Sequence, residues 1–415
     1  MDESEDTREA EGRRGSLEAV QSVAIIGMSL AGLRCAESLR RLGFEGTIHA
    51  IGAERHQPYD RPPLSKEVLT GAADSPFVPL RRDPLAELDL DLRLGVRATA
   101  LDVARRTVTL DDGATVSANA IVVATGAYAR RLPESVCAHD AAHVHVLRTL
   151  DDAVALRAAL DGAPERVAVI GAGFIGMEVA ASCRARGLAV TVVEPLPQPL
   201  VRGLGEVLGA RCARLHRDHD VDLRLGVGVA RVGEGGIDLD DGSRIDADVV
   251  VVGVGAAPAV EWLQPDTLAI DNGIVCDAHL AAAPGIYAIG DVCNFPNPLF
   301  DGARMRLEHW TNATEQAMHV AQQIAGDAAS EFAPVPFVWS DQYDVKIQIV
   351  GRFDADCDLH IAHGSLDDDR FVALFGRRGR LVGALGFTQP RLVMKYRRLI
   401  ADRAGWDEAL AEAAG

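Results

Sequence analysis

The chain lacks the cysteine patterns that bind zinc or exchange disulfides. Its seven cysteines are spread over the whole length and include no Cys-x-x-Cys and no other closely spaced pair: Cys35, Cys137, Cys183, Cys212, Cys276, Cys293 and Cys357. An odd number of cysteines without a framework is typical of reduced, mostly buried thiols. We therefore expect a cytoplasmic protein with no metal site.

Long apolar runs and an excess of basic charge are also missing. Charged residues or glycines interrupt every apolar stretch before it reaches the length of a membrane span. The net charge of −18 argues against general nucleic-acid binding, which needs a basic surface. Residues 1–20 are acidic and have no apolar signal core. We therefore expect a disordered leader there, and neither a membrane nor a nucleic acid as a partner.

Two glycine-rich turns stand out in this otherwise ordinary composition. Each lies between a short apolar strand and an alanine-rich helix, at 27–32 (Gly-Met-Ser-Leu-Ala-Gly) and at 171–176 (Gly-Ala-Gly-Phe-Ile-Gly). Such a turn lets the backbone approach a pyrophosphate, whose charge the helix N-terminus stabilises. One copy would be weak evidence, because glycine turns also serve plain strand–helix packing. Two copies predict two dinucleotides bound face to face, as in electron transfer between a nicotinamide and a flavin.

The segments around the two turns repeat one order of elements: strand, glycine turn, helix, strand, hairpin and apolar strand. The hairpins turn at 111–113 and 240–242, both with the sequence Asp-Asp-Gly. This duplication predicts an α/β fold with two Rossmann-like dinucleotide-binding domains, the second inserted in the first, which resembles the glutathione-reductase structural class. The expected division is an FAD-binding domain at 21–125 and 251–328, an NADH-binding domain at 126–250, and a C-terminal α+β domain at 329–415.

An acidic residue at the end of the second strand of each unit can bind the ribose hydroxyls of an adenosine. In the second unit this residue is Glu194, whose charge would repel a 2′-phosphate. Residues 195–201 supply no Arg or Lys to hold such a phosphate, so NADH is expected over NADPH. In the first unit the candidate is Glu54, for which a ribose ligand and a plain loop charge stay equally open. Ser29 replaces the middle glycine of the first turn, which weakens that motif without excluding it.

Further short motifs follow along the chain. Arg-Pro-Pro-Leu-Ser-Lys stands at 61–66, Ala-Thr-Gly with a following Arg at 124–130, Gly-Met-Glu-Val-Ala at 176–180, Gly-Asp-Val at 290–292, His-Trp-Thr-Asn-Ala at 309–313, and Trp-Ser-Asp-Gln-Tyr at 339–343. With these motifs in this order, the chain resembles the oxygenase-coupled NADH:ferredoxin reductases, a family of FAD-dependent pyridine nucleotide oxidoreductases. The match covers residues 20–403, which is far more specific than any single motif.

The resemblance implies a set of site residues. Lys66 would lie near the flavin N5 edge, Trp310 beside the isoalloxazine, and Glu178 near the nicotinamide amide, and these three are the expected catalytic residues. The FAD contacts that it implies are Gly27, Ser29, Gly32, Arg61, Lys66, Arg130 and Asp291. The NADH contacts are Gly171, Gly173, Gly176 and Glu194. The further expected cofactor contacts are Ala31, Glu54, Ala98, Thr125, Gly126, Phe174, Ile175, Gly255, Gly290, His309 and Trp310.

The function that the resemblance implies is an NADH:ferredoxin reductase. It would pass electrons from NADH through FAD, one at a time, to a small acidic iron–sulfur ferredoxin that serves a monooxygenase or ring-hydroxylating dioxygenase. Two alternatives stay open on the same scaffold. An NADH oxidase, peroxidase or disulfide reductase is the first; the latter two need a reactive cysteine facing the flavin, for which Cys35 is the nearest candidate. An NADH-responsive interaction protein is the second.

The charge of the chain is unevenly spread. From Arg370 to Arg403 there are nine basic residues and one acid, Asp402. An acidic ferredoxin is expected to dock near this stretch and near Arg130 and Arg131, over the flavin edge, with its association steered electrostatically. The alternative is a solvated surface whose counter-acids lie elsewhere in the fold.

The first glycine turn predicts that the purified protein carries FAD rather than FMN, because FMN has no pyrophosphate to place against the turn. Release of the flavin by heat, followed by chromatography, identifies it. Recovery of FMN, or of no flavin at all, would overturn this assignment.

Overall fold

In the computed structural model, short β-branched strands alternate with helices along the described chain, which comprises residues 20–73, 75–327 and 330–414. The leader expected at 1–20 lies outside the described residues, apart from Val20. The first strand, Ser22–Ile26, is buried on both faces, as expected of a central strand in a parallel sheet. Within the described residues, no helix combines the length and the apolarity that a membrane crossing needs.

The first stretch, up to residue 129, forms eight strands and two helices. The strands are β1 (Ser22–Ile26), β2 (Thr47–Gly52), β3 (Leu90–Leu94), β4 (Ala98–Asp102), β5 (Thr107–Leu110), β6 (Thr115–Ser117), β7 (Ala120–Val123) and β8 (Ala127–Ala129). The helices are α1 (Leu30–Arg41) and α2 (Glu67–Thr70). The first glycine turn joins β1 to α1, and a 3₁₀ turn at Pro62–Ser65 leads into α2.

The second stretch contains nine strands and three helices. The strands are β9 (Val144–Val146), β10 (Arg166–Ile170), β11 (Ala189–Glu194), β12 (Val221–Leu225), β13 (Val229–Gly233), β14 (Gly236–Leu239), β15 (Arg244–Asp246), β16 (Val249–Val252) and β17 (Ala256–Pro258). The helices are α3 (Leu150–Asp161), α4 (Phe174–Ala185) and α5 (Val201–Arg217). Thr149 and Asp152 form a capping box that fixes the start of α3.

The remaining described residues complete the first domain and then form the C-terminal one. The elements up to residue 324 are β18 (Ile274–Val275), β19 (Ala281–Ala283), β20 (Ile286–Ala288), β21 (Cys293–Asn297), β22 (Ala303–Met305) and α6 (Trp310–Ile324). The C-terminal elements are β23 (Phe337–Gln342), β24 (Val345–Gly351), β25 (Asp358–His363), β26 (Phe371–Arg377), β27 (Arg380–Phe387), α7 (Pro390–Ala401) and α8 (Trp406–Ala414).

The first domain is built from two separate parts of the chain. Its six-stranded sheet has the order β19–β20–β7–β1–β2–β3, and β20 joins β7 in parallel. The later segment therefore completes a sheet that the first stretch begins. On one face α1 packs against α6, which comes from the later segment. The second dinucleotide-type domain is thus inserted into the first, and the expected fold class is confirmed.

The second domain has a five-stranded parallel sheet of order β12–β11–β10–β16–β9. Its strand β16 pairs with β10 from Val249 to Val252. The expected boundary between residues 250 and 251 therefore falls inside a strand of the second domain. The structure places the crossing at a two-stranded ribbon, in which β17 pairs with β8. An apolar strand has the same sequence pattern in either domain, and only its pairing assigns it.

The C-terminal domain is a five-stranded antiparallel sheet of order β23–β24–β27–β26–β25. One face is covered by α7 and α8. The other face packs against α5 of the second domain, where Leu208 and Cys212 meet Ile347 and Phe371. The sheet is therefore held between its own helices and a neighbouring domain. Pro390 stands at the first position of α7, where its missing N–H is not needed, and α8 follows.

Candidate functional site

Two cavities lie side by side at the carboxyl ends of the two parallel sheets. The first cavity, of about 380 Å³, follows strands β1, β7 and β20. The second, of about 430 Å³, follows strands β9, β10, β11 and β16. Ligands of open α/β sheets bind in such crevices. Six residues line both cavities, which therefore share a wall: Arg61, Ser65, Arg148, Phe174, Ile175 and Glu308.

The first turn divides into glycines that pack closely and small residues that line the cavity. A Cβ on Gly27 would meet the Ala124 carbonyl oxygen at 2.1 Å, and one on Gly32 would meet the Gly27 oxygen at 1.9 Å. Both positions therefore require glycine for close packing of the turn. Ser29 and Ala31 line the first cavity at the start of α1. Ser29 does not cap the helix with its side chain, so the helix N-terminus is left to an anion.

The second turn shows the same division. A Cβ on Gly171 would meet the Gly253 oxygen at 2.5 Å, and one on Gly176 would meet the Gly171 oxygen at 2.0 Å. Gly173 has no atom of another described residue within 4 Å of the position of such a Cβ, and it lines the second cavity. The space beside Gly173 is the place where a pyrophosphate fits.

Glu194 ends β11 at the rim of the second cavity. Its carboxylate accepts hydrogen bonds from the Ala172 N–H at 2.8 Å and from the Leu196 N–H at 3.1 Å. These two bonds fix the carboxylate beside the glycine turn, where the adenosine ribose of a dinucleotide is expected. Gln198 and Arg202 line the same cavity, and Arg202 is exposed at the start of α5. Arg202 lies one position beyond the stretch 195–201 and was not predicted as a nearby cation.

The expected catalytic residues Lys66 and Glu178 are brought together by the fold. The Lys66 ammonium donates to Glu178 Oε2 at 2.9 Å, and the Ser65 hydroxyl donates to the same oxygen at 2.5 Å. The other oxygen, Oε1, accepts from the Ser340 hydroxyl at 2.7 Å. Glu178 is only 4% exposed. Lys66 and Glu178 both line the first cavity, close to the shared wall.

A second ion pair spans the shared wall. The Arg148 guanidinium donates to Asp291 Oδ2 at 2.5 Å, and its backbone oxygen accepts from Arg61. Burial alone would lower the pKa of Arg148, but the charge and hydrogen bond of Asp291 raise it. Neither Arg148 nor Glu308 was predicted from the sequence. Arg148 lies two residues after β9, at the carboxyl end of a parallel strand, and that position was the available signal.

Trp310 and His309 form another part of the first cavity wall. The Trp310 indole N–H donates to Asp60 Oδ1 at 3.0 Å, which fixes the ring. His309 Nδ1 is buried without a hydrogen-bond partner among the described residues. Burial lowers the pKa of His309 to about 4, although Asp291 opposes the shift. A buried, unpaired polar atom at a cavity wall is expected where a ligand supplies the missing partner, so the residues present fit a bound flavin dinucleotide.

The other expected contacts are placed as follows. Thr125, Gly126 and Gly290 line the first cavity, and Gly255 lines the second. Six expected contacts lie outside both linings: Gly27, Gly32 and Gly176, which pack within the turns, and Glu54, Ala98 and Arg130. Ala98 starts β4, and the Arg130 guanidinium donates to the Ala256 oxygen at 2.9 Å.

Glu54 is held by two neighbours of its own domain. Its carboxylate pairs with Arg61 at 2.6 Å and accepts from the Tyr59 hydroxyl at 2.6 Å. This arrangement favours the loop-charge alternative for Glu54, because its carboxylate is paired with Arg61 and, unlike Glu194, it lies outside both cavity linings.

The cysteines take no part in either cavity. All seven lie in the described part of the chain, all are free, and none is among the lining residues. Cys35 is fully buried on α1, and burial raises the pKa of its thiol to about 12. The thiolate that a peroxidase or disulfide reductase needs is therefore not available at this position.

The chain matches two protein-family models. One is described as pyridine nucleotide-disulphide oxidoreductase and matches residues 21–317, and the other, reductase C-terminal, matches residues 337–414. The ferredoxin–NAD(+) reductase component of the p-cumate 2,3-dioxygenase system of Pseudomonas putida is 36% identical over 94% of this chain and 96% of that protein. Rhodocoxin reductase of Rhodococcus erythropolis is 38% identical over 92% of this chain and 89% of that protein.

Two solved structures are similar to this chain over almost all of its length. The covalent putidaredoxin reductase–putidaredoxin complex is similar with a TM-score of 0.89 and 31% identity, over 96% of this chain and 99% of the matched one. A ferredoxin reductase for the CYP199A2 system of Rhodopseudomonas palustris is similar with a TM-score of 0.84 and 34% identity, over 95% of this chain and all of the matched one.

The second and third glycines of the second turn, Gly173 and Gly176, give a matched pair of variants. Gly173→Ala should fold normally and raise the Kd for NADH about tenfold, or about 1.4 kcal/mol, because its methyl group enters only the ligand space. Gly176→Ala should lower the melting temperature, because its methyl group meets a backbone oxygen at 2.0 Å. Thermal unfolding and NADH titration measure the two effects. Unchanged NADH binding in a folded Gly173→Ala variant would contradict the placement of the pyrophosphate.

Glu194 should favour NADH over NADPH. A repulsion of about 2–3 kcal/mol between its carboxylate and a 2′-phosphate corresponds to roughly a hundredfold in kcat/KM. Glu194→Ala should narrow this ratio, and adding Arg202→Ala should remove part of the NADPH activity so gained, because Arg202 is the nearby cation. Similar kcat/KM values for both nucleotides in the unmodified enzyme would refute the role of Glu194.

Proposed function

The chain belongs to the pyridine nucleotide-disulphide oxidoreductase family, and from that premise we propose that it is an FAD-dependent NADH:ferredoxin oxidoreductase. It would serve a monooxygenase or a ring-hydroxylating dioxygenase through a small acidic iron–sulfur ferredoxin. The wall shared by the two dinucleotide cavities is the observation that carries this proposal. Cavities that meet in this way allow the redox-active ends of two dinucleotides to lie next to each other.

The two cofactors divide between the cavities. The first cavity suits FAD, with Ser29 and Ala31 at the glycine turn, Asp291 opposite, and Trp310 on the wall. The second suits NADH, with Gly173 at the turn and Glu194 at its rim. When bound, FAD supplies the required chemistry, since it takes up two electrons as a hydride and releases them singly.

The residues of the chain position and shield this chemistry rather than transfer protons. Phe174 and Ile175 provide apolar surface between the cavities. The Lys66 ammonium is held in the first cavity by Glu178. Hydride transfer depends mainly on stacking and distance, so a residue with a pKa near neutrality is not required. The neutral, buried His309 agrees with this interpretation.

An iron–sulfur acceptor fits the chain better than a disulfide or a peroxide. Both of those acceptors need a nucleophilic cysteine near the flavin, and no cysteine lines either cavity of the described chain. The seven free cysteines also support our proposal that the protein works in the reducing cytoplasm.

The basic C-terminal stretch is less positive in the fold than in the sequence. Five of its basic side chains have acidic partners: Arg377 with Asp354, Arg380 with Asp301, Lys395 with Glu412, Arg397 with Glu315, and Arg398 with Asp402. The other four of the nine basic residues have no acidic partner within 4.0 Å among the described residues: Arg370, Arg378, Arg391 and Arg403. The counter-acids that the alternative interpretation required are therefore present for five of the nine.

One face of α7 keeps an accessible positive charge. Arg391, Met394, Lys395 and Arg398 are exposed at helical spacing. On the inner side of the same helix, the Arg397 guanidinium lies 5.8 Å from the Phe337 ring centroid. The ring of Trp339, which lines the first cavity, lies 5.9 Å from Phe337. We propose that the ferredoxin docks on the exposed face of α7, because Arg397, Phe337 and Trp339 connect this helix to the wall of the FAD cavity.

The proposed function is tested by comparing electron acceptors. With NADH as donor, the enzyme should reduce an acidic iron–sulfur ferredoxin from an oxygenase system, with a rate that falls as salt is added. Arg391→Glu with Arg398→Glu should raise the KM for ferredoxin several-fold at low ionic strength. Ferricyanide reduction should stay unchanged, because this small acceptor needs no docking surface.

The matched control reverses two exposed arginines in the hairpin sheets of the nucleotide domains, Arg105→Glu with Arg231→Glu. It alters the net charge equally and should leave the KM for ferredoxin unchanged. An equal effect of both double variants would place docking elsewhere. Turnover of peroxide or disulfides without ferredoxin reduction would refute the proposed function itself.

A further inference from the structure

A hydrogen-bonded chain of buried side chains runs from Glu178 through β23 of the C-terminal domain to His216 on α5. Ser340 and Gln342 are two residues apart on β23, so their side chains share one face of the strand. The Gln342 amide nitrogen lies 3.1 Å from Ser340 Oγ, and its oxygen lies 2.9 Å from His216 Nε2. Tyr343 then places its hydroxyl 3.0 Å from His216 Nδ1. Ser340, Gln342 and His216 are all 0% exposed.

The direction of every hydrogen bond in this chain follows from its end at Glu178. Because Glu178 pairs with Lys66, its carboxylate oxygens only accept, so the single hydroxyl proton of Ser340 points to it. Ser340 must then accept from the amide nitrogen of Gln342. The amide oxygen of Gln342 in turn faces His216 and needs a donor.

His216 supplies that donor as a neutral ring. Burial lowers the pKa of His216 to about 4, so the ring carries one proton near neutrality, and that proton lies on Nε2. Nδ1 therefore accepts from the Tyr343 hydroxyl, whose pKa is raised by burial, so that it stays protonated. All four protons between Tyr343 and Glu178 point towards the carboxylate. Hydrogen bonds aligned in this way strengthen one another in a low-dielectric interior.

Tyr343 is the first residue of the two-residue turn that joins β23 to β24. This residue has a φ of 57°, a left-handed conformation that bulky residues rarely adopt. Its ring stacks on His219 with the centroids 3.6 Å apart. The stacking on His219 and the hydrogen bond to His216 hold the Tyr343 side chain in this turn.

We propose that Ser340, Gln342, His216 and Tyr343 are positioning residues for the reaction between NADH and FAD. They fix one carboxylate oxygen of Glu178, which leaves the other oxygen to orient Lys66 in the FAD cavity. The C-terminal domain thereby sets the geometry of a site that its own residues only border. This inference rests on the proposed function, because it assigns these residues to the transfer step between the two cofactors.

Two glutamines of the C-terminal sheet allow a matched test. Gln342→Met removes the hydrogen bond from Gln342 to Ser340, and two further hydrogen bonds, through Glu178, connect Ser340 to Lys66. Gln348→Met makes the same substitution at another buried glutamine of the sheet, 7% exposed, that takes no part in the chain. Rapid mixing of the oxidised holoenzyme with NADH yields the rate of FAD reduction and the apparent Kd for NADH separately. Visible circular dichroism of the oxidised holoenzyme reports on the flavin environment without turnover.

Gln342→Met should slow FAD reduction roughly fivefold to twentyfold, because a small misplacement at the reacting centre has a large effect on rate. Its Kd for NADH should stay within about twofold, because the adenosine end of the nucleotide is not touched. The visible circular dichroism should change as well. Gln348→Met should match the unmodified enzyme in all three measurements, whatever its melting temperature.

Ser340 gives a second pair of variants if Gln342→Met does not fold. Ser340→Ala removes the donor to Glu178 and should slow FAD reduction, whereas Ser340→Thr keeps a hydroxyl and should restore most of the rate. The positioning role is overturned if folded Gln342→Met or Ser340→Ala reduces FAD as fast as Gln348→Met. It is also overturned if the rate and the Kd change together with the melting temperature. Failure of NADH to reduce the unmodified holoenzyme would instead refute the proposed function.

Discussion

A single buried carboxylate joins all three domains. Glu178 belongs to the second domain, yet its three donors come from the others: Ser65 and Lys66 from the first domain and Ser340 from the C-terminal domain. A buried charge is strongly destabilising unless it is paired and hydrogen-bonded, and loss of one partner typically costs about 3–5 kcal/mol. Any relative shift of the domains would withdraw a donor from this charge. The position of Lys66 in the first cavity is therefore fixed by all three domains at once.

Contacts between charged residues of different domains also hold the wall between the cavities. Arg148 lies between α3 of the second domain and Asp291 of the first, and its backbone oxygen accepts from Arg61. The two ion pairs at the wall, Lys66–Glu178 and Arg148–Asp291, each join residues of different domains. Because these pairs are preorganised, a dinucleotide in either cavity meets charges that are already oriented. The two cavities are therefore parts of one site.

The sequence predicted what is local and missed what depends on distant partners. The strand–turn–helix units and both glycine turns follow from patterns within a few residues. The expected domain boundary falls inside β16, a strand whose domain is apparent only from its pairing with β10. Arg148 has a recognisable role only beside Asp291, which lies far along the chain.

Charge was the least predictable property. The run of basic residues near the C-terminus suggested a positive surface, but acids such as Asp301, Asp354 and Glu315 lie against it in the fold. The charge of Glu54 is likewise paired with that of Arg61.

The contact of three domains at Glu178 was not predicted from the sequence. Lys66 and Glu178 were predicted only as separate residues, and the C-terminal domain contributes a single side chain, Ser340, to this contact. Successive side chains of strand β23 point to opposite faces of the sheet. Trp339 therefore lies in the wall of the FAD cavity, and the next residue, Ser340, donates to Glu178. One residue of shift in this strand would exchange the two contacts, so its register with β24 couples the C-terminal domain to both the cofactor cavity and the buried charge.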